Sequence, residues 1–349
     1  MFLSSLCFKN INALYFTYGV MFGLGAALAY TPTLAILGHY FKRYLGLING
    51  FVTSGSSVST ALLPAGLNWL LKTYGLQVTL SMLALFTSFI VICSLIYKPL
   101  RPPQPAPSRK RGQSKTNLFC STLVNVDNWK KRRYIIWALS IPVALIGYFV
   151  PYVHMTKLVK ITFPLENENF PIVCIGITSG LGRLLFGYIA DFKRVNRIYL
   201  QQMSFIILGV LTMAIPLTKS YTLLLVICLG MGLVDGCFIS LLGPIAYDLC
   251  GARGATQAIG FLLGLCSIPL TVGPPIAGMF YDHTNSYVLS FILAGIPPIF
   301  GAIIMCLMAF VKDDDIPVVD ICESDAHLQI PLAKPAWNEG NKWCLYLSL

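Results

Sequence analysis

The sequence predicts an all-α, polytopic membrane protein, and three observations carry that prediction. Of 349 residues, 56 % are hydrophobic and only 11 % charged, whereas a soluble globule carries roughly 25 % charged residues to cover its surface. The mean hydropathy is +0.71. The apolar residues fall in continuous runs, long enough at about 20 residues to cross some 30 Å of hydrocarbon. These runs do not alternate as the strands of a membrane barrel would. A soluble domain, a disordered tail and a secreted disulfide scaffold are excluded. Most of the eleven cysteines lie inside apolar runs, and no CxxC pair occurs.

Taken in order, Met1 to Asn10 has neither a basic n-region nor a small-residue cleavage site, so no signal peptide is expected. Three spans, 11–38, 44–71 and 73–97, make residues 1–97 a partial N-terminal helix bundle. Residues 98–133 read as a linker: Pro102-Pro103-Gln104-Pro105-Ala106-Pro107 is hostile to helix, and ten Lys or Arg face a single acid, Asp127. Six spans follow, 134–156, 171–190, 198–218, 220–247, 255–281 and 284–311, forming a complete C-terminal bundle over 134–311. The tail 312–349 opens with Asp313-Asp314-Asp315 and is acidic.

The net charge of +11 does not indicate nucleic acid, because its distribution marks membrane sidedness. Alternation from a cytoplasmic 98–133 segment puts Lys42–Arg43, Asp191–Arg197 and Asp248–Arg253 on the same side. That side then holds 16 Lys or Arg between spans and the other side five, as the positive-inside rule requires. Nine spans place the tail in the cytoplasm and the N-terminus outside. An outside start without a signal peptide is unusual, and points to an N-terminal end missing from a longer protein.

Two side chains in all nine spans are formally charged, Arg183 and Asp235. Each costs roughly 2.5–3.5 kcal/mol to insert at mid-membrane, so each needs a reason to be there. At 1.5 Å per residue Arg183 lies about 12 Å, and Asp235 about 20 Å, from the cytoplasmic boundary. An extended arginine covers much of that offset, so a charge pair is expected. Two readings are open: the pair lines a water-accessible cavity and binds a carboxylate or a proton, or it fastens two helices. The planar guanidinium suits the first, since it holds two oxygens at once.

His154 is the one histidine within a span, either a gate, proton sensor or substrate contact, or an interfacial residue with a satisfied hydrogen bond. Its neighbours Tyr148 and Tyr152 offer ring faces but read chiefly as interfacial anchors. Gly46, Gly50 and Gly55, Gly232 and Gly236, and Gly260 and Gly264 predict close helix packing. Pro274-Pro275 and Pro297-Pro298 predict kinks. No phosphate loop, HExxH, GxSxG elbow or Cys/His cluster occurs, so neither a nucleotide, a metal nor an organic cofactor is called for, and an enzyme reading has little support.

Several segments together resemble the monocarboxylate transporter family, a branch of the major facilitator superfamily. Gly23 to Gly55, GLGAALAYTPTLAILGHYFKRYLGLINGFVTSG, is similar to that family's fourth and fifth spans and the basic turn between them. GYFVPYVHMTKL, SGLGRLLFGYIAD running into FKRVNRIYL, GLVDGCFISLLGPIAY, TQAIGFLLG and GPPIAGMFYD extend the resemblance over most of residues 11 to 311. The later segments look most like the branch carrying thyroid hormones and aromatic amino acids. There the resemblance implies functional roles for the arginine and aspartate falling on Arg183 and Asp235, and for the histidine falling on His154. It also implies a conformational latch of Asp191 with Arg194 or Arg197.

Family members have twelve spans in two six-helix halves, with the substrate site between them. The first half here contributes three, so the chain is expected to be N-terminally truncated. The implied function is alternating-access transport of organic anions or zwitterions (monocarboxylates, aromatic amino acids or thyroid hormones) across the plasma membrane. The implied partners are that small-molecule substrate, the lipid bilayer and an accessory membrane glycoprotein. The alternative is a truncated, non-transporting membrane protein acting through partner interaction.

Overall fold

The computed structural model describes residues 1–7, 9–41, 44–95 and 126–311, and among these every regular element is helical. Most of the expected linker and all of the expected tail from Lys312 lie outside the described residues.

A short α1 (Phe2–Leu6) precedes α2 (Ile11–Leu14), whose first turn is capped by the Asn10 side chain accepting from the Asn12 N–H at 3.1 Å. The helix runs through a π-helical turn, Tyr15–Met21, into α3 (Phe22–Tyr40). Next, α4 (Leu45–Ser94) is interrupted once, at Gly75, where φ 75° and ψ 178° suit a residue without a Cβ. The break expected beside Lys72 falls three residues later, at the glycine.

After α5 (Val126–Lys130) and α6 (Arg132–Ala144) the chain turns over 145–149 before α7 (Val150–Thr162). The span expected to be continuous over 134–156 is thus two helices of 13 residues each. Pro151 stands in the first turn of α7, and Gly147, within the turn, lies so close to the Ala294 carbonyl that a Cβ there would collide with it. An interrupted helix at membrane depth is tolerated where it is buried in protein or lines a cavity.

The remaining helices are α8 (Phe170–Ile189), α9 (Arg197–Ala214), α10 (Tyr221–Thr284) and α11 (Tyr287–Cys306). Gly251, at φ 70°, divides α10 into two limbs. Asn128 Nδ2 donates to the Gly254 carbonyl (2.9 Å) and Lys131 Nζ to that of Leu249 (3.1 Å), so the end of the basic segment is tied to this break. Both expected proline pairs sit inside continuous helices, Pro274-Pro275 in α10 and Pro297-Pro298 in α11.

Among the described residues seven helical segments are long and apolar enough to cross a membrane: Ile11–Gly38, Gly66–Ser94, Phe170–Ile189, Arg197–Leu217, Tyr221–Gly251, Gly254–Thr284 and Tyr287–Ala309. The two other expected spans are the hydroxyl-rich first limb of α4 and the divided α6–α7 pair. Only 12 % and 11 % of the first two segments is buried, against 56 % of Tyr221–Gly251. The densest packing is therefore C-terminal, around Tyr134, Trp137, Phe205, Ile245 and Met305 at one end and Met155, Ile175, Leu224 and Phe291 at the other.

The glycines explain how α8 comes to lie between α4 and the first limb of α10. A Cβ on Gly46 would meet the Gly187 carbonyl, and one on Gly187 the Gly46 carbonyl. A Cβ on Gly50 would meet the Arg183 carbonyl; those on Gly182 and Gly236 would meet the Leu233 and Ser179 carbonyls. Backbones approach this closely only where side chains are absent. By contrast Gly55 and Gly264 face open space, so their helical spacing does not translate into contact.

Candidate functional site

The close α8–α10 approach sets Arg183 beside Asp235, as the sequence leads one to expect. Their Nη2 and Oδ2 atoms are 3.9 Å apart, and the side chains are 5 % and 3 % exposed. The geometry is an ion pair without a direct hydrogen bond, because 3.9 Å exceeds hydrogen-bond reach. Each member takes its hydrogen bonds elsewhere. Asp235 Oδ2 accepts from Ser179 Oγ at 2.6 Å, and Oδ1 accepts from the Tyr148 hydroxyl. Ser179 has spent its proton on the aspartate, so the 3.2 Å contact with Ser57 has Ser57 as donor. Arg183 Nη1 donates to the Thr53 carbonyl and to Ser56 Oγ, both on α4.

These groups face a cavity of about 220 Å³, with Ser56, Thr60, Tyr148, Tyr152, Arg183 and Asp235 among its lining. The lining combines charge and hydroxyls with aromatic rings, Tyr148 and Tyr152 centred 5.6 Å apart and Phe149 and Tyr152 6.1 Å apart, and the Tyr148 hydroxyl ties the rings to Asp235. The interruption between α6 and α7 delivers all three rings. Tyr148 and Tyr152 are therefore cavity residues, correcting the expectation of interfacial anchors. A cavity lined by both a buried cation and aromatic rings suits an organic anion with an apolar body.

His154 does not line that cavity. Its Nε2 lies 3.0 Å from the Pro274 carbonyl, which can only accept, so Nε2 carries the proton. Its ring sits 5.6 Å from that of Tyr287, which stacks on Tyr281 at 4.2 Å; Lys157 Nζ lies 4.2 Å over the same Tyr281 ring. The histidine thus belongs to a separate aromatic–cationic group joining α7 to α10 and α11.

A second charged cluster lies at the far end of α8. Asp191 accepts from the first backbone N–H groups of α4, those of Gly46 and Leu47, each at 2.9 Å. A carboxylate at a helix N-terminus satisfies orphan donors and meets the positive end of the dipole. Arg197 Nη2 approaches Asp191 at 3.2 Å, its Nη1 donates to Asp248 at 2.8 Å, and its Nε to the Ala190 carbonyl at 3.0 Å. One arginine therefore links α8, α9 and α10 at the point where α4 begins. Arg194 is exposed and stands outside this cluster among the described residues. Asp248 is one of several charges in a cytoplasmic-type loop, and nothing in its spacing marks it; Ser56, Thr53 and Ser179 are indistinguishable in sequence from many other helical hydroxyls. Among the described residues no three His, Cys, Asp or Glu side chains group as metal ligands do.

Comparison with known proteins gives this arrangement its context. The Major Facilitator Superfamily profile matches residues 1–269. The chain is 50 % identical over 312 residues to monocarboxylate transporter 10 of Danio rerio, covering 89 % of this chain and 61 % of that protein. Against monocarboxylate transporter 10 of Homo sapiens it is 46 % identical over 318 residues, covering 88 % and 61 % respectively. With monocarboxylate transporter 12 of Xenopus laevis identity falls to 25 % over 357 residues, covering 96 % and 76 %. The chain spans about three-fifths of the length of the first of these relatives. It is a multi-pass membrane protein of helical architecture, it is related to the monocarboxylate transporters, and it belongs to the major facilitator superfamily.

Proposed function

We propose that the protein is a secondary carrier of organic carboxylates or zwitterions, of the monocarboxylate, aromatic amino acid or thyroid hormone class, working by alternating access at the plasma membrane. The observation that carries this reading is the buried Arg183–Asp235 pair lining one cavity together with the rings of Tyr148, Phe149 and Tyr152. Arg183 would meet the substrate carboxylate. Asp235, with an oxygen already held by Tyr148 and the other by Ser179, is its charge partner. The rings of Tyr148, Phe149 and Tyr152 would take the apolar body.

The cavity lies between α4, from the N-terminal set of helices, and α7, α8 and α10 of the C-terminal set. Motion of one set against the other would open it to either side in turn. Nine spans, with the first limb of α4 and the α6–α7 pair completing the seven apolar segments, put the tail and the Asp191–Arg197–Asp248 cluster on the cytoplasmic face. That cluster would latch α8, α9 and α10 to the start of α4 in one state and part in the other. Arg197, not Arg194, is the arginine supported for this role. His154 would act at a distance, by fixing α7 against α10 near the outer approach.

Uptake tests the reading. Cells expressing this 349-residue chain are offered labelled phenylalanine, triiodothyronine and lactate, with Arg183→Ala as the paired variant. Saturable uptake of at least one, lost in the variant while surface abundance is kept, is the expected outcome. A chain that reaches the surface and moves none of them overturns the carrier reading and favours a membrane protein acting through partners.

A further inference from the structure

The guanidinium of Arg183 is not held symmetrically. Nη1 is anchored twice, to the Thr53 carbonyl and Ser56 Oγ of α4. Nη2 stands 3.9 Å from Asp235, too far for a hydrogen bond. Nε is buried, and among the described residues no atom accepts from it. Nε and Nη2 lie on the same edge of the planar group, and together they form one of the two-donor forks with which arginine takes a carboxylate. One corner of the guanidinium is therefore tied to the protein and an entire edge is left to spare.

A buried donor without an acceptor costs about 1–3 kcal/mol, more when it is charged, and such groups are rare enough to require an explanation. Here the cavity offers one: Arg183 and Ser56 are both among the residues lining its 220 Å³, and a carboxylate drawn from it against the guanidinium would supply the missing acceptor. Resting on the carrier reading above, we infer that Ser56, together with the Thr53 carbonyl, is a positioning residue: it pins Nη1 of Arg183 so that the Nε–Nη2 edge receives a carboxylate side-on.

Two consequences follow from this geometry. The residue at 183 must be arginine, since a lysine ammonium has no second edge to offer while it is tied to Thr53 and Ser56. The affinity gained through Ser56 applies to carboxylates alone, because an uncharged analogue makes no bidentate pair. Ser59 provides the control: it is exposed, and its hydroxyl bonds within its own helix, to the Gly55 carbonyl at 3.1 Å.

The test is equilibrium binding of labelled L-phenylalanine and of L-phenylalaninamide to the purified chain in nanodiscs. The chains compared are the wild type, Ser56→Ala, Ser56→Thr, Ser59→Ala and Arg183→Lys, with melting temperatures recorded alongside. The expected result is that the wild type prefers the acid and Ser56→Ala weakens the acid about tenfold, the size of one lost charge-assisted hydrogen bond. The amide is expected to bind as before, Ser56→Thr and Ser59→Ala to stay near wild type, and Arg183→Lys to lose the preference for the acid. If Ser56→Ala binds the acid as tightly as wild type while Arg183→Lys does not, the positioning role falls and the carboxylate reading stands. Equal weakening of acid and amide in Ser56→Ala makes the serine merely structural and also overturns it. A wild-type chain that fails to prefer the acid overturns the carboxylate reading, and this inference with it.

Discussion

Helix α8 carries two charges in opposite circumstances, Arg183 near its middle and Asp191 just past its end. Arg183 is 4 % exposed, its one charge partner stands at 3.9 Å, and a buried donor goes without an acceptor. Asp191 is satisfied on every side, by two backbone N–H groups at 2.9 Å and by Arg197 at 3.2 Å. A cluster that holds one state together closes its hydrogen bonds, as the Asp191 cluster does. A cluster that must accept a ligand keeps one capacity open, at a cost that deep burial makes large. On the proposed function the first is a joint and the second a receptor, although both look like ion pairs in sequence.

Removing the partner of the buried charge should have the largest effect. Asp235→Ala leaves Arg183 buried without its charge partner and is expected to cost about 3–5 kcal/mol, read as a fall in the melting temperature of the purified chain. Asp235→Asn, which retains an acceptor for one of Ser179 and Tyr148 and sets a donor against the other, should melt between the two. Should Asp235→Ala melt like wild type, the two clusters do not differ as described.

The seam that brings these helices together comes next. Gly50→Ala sets a Cβ against the Arg183 carbonyl and is expected to destabilise by about 1–3 kcal/mol through overpacking. Gly55→Ala, at a position with open space around it, should be neutral or slightly stabilising, since alanine is the better helix former by roughly 1 kcal/mol. Equal melting temperatures for the two would show that the seam is not tight.

Asp191→Ala removes a helix cap worth about 1 kcal/mol, together with a partner of Arg197. Hydrogen exchange at the Gly46 and Leu47 amides should accelerate several-fold with little change in global melting. Smallest of all, Arg194→Ala should alter neither exchange at those amides nor stability by more than about 0.5 kcal/mol, being an exposed surface position. Matching effects from Arg194→Ala and Arg197→Ala would undo the assignment of Arg197 to the joint.

How far the sequence reached differs from feature to feature, for physical reasons. Arg183 and Asp235 were legible because a charge in hydrocarbon is expensive, and expense singles residues out. Their hydroxyl partners were not, because serine and threonine in helices bond to their own backbone at little cost; Ser54, Ser59 and Thr60 do so within a turn of Ser56. The break between α6 and α7 left no polar mark in sequence. Its local signs, Gly147 and Pro151, do not set it apart, since continuous helices here also hold glycines and prolines, Gly182 in α8 and Pro297-Pro298 in α11 among them. Arg194 and Arg197 could not be separated by spacing. They part because α9 starts at Arg197, behind the Asn196 cap, leaving Arg194 in the preceding turn.

The most direct test of the central claim, that the Arg183–Asp235 pair is a receptor and not a fastener, is the neutral double variant Arg183→Leu with Asp235→Leu. Replacing both members of a buried pair leaves no isolated charge and is often neutral or stabilising. The account predicts that the double variant melts near wild type, above either single variant, yet binds L-phenylalanine no better than L-phenylalaninamide. A double variant that regains both its stability and its preference for the acid would show that the pair only holds two helices together.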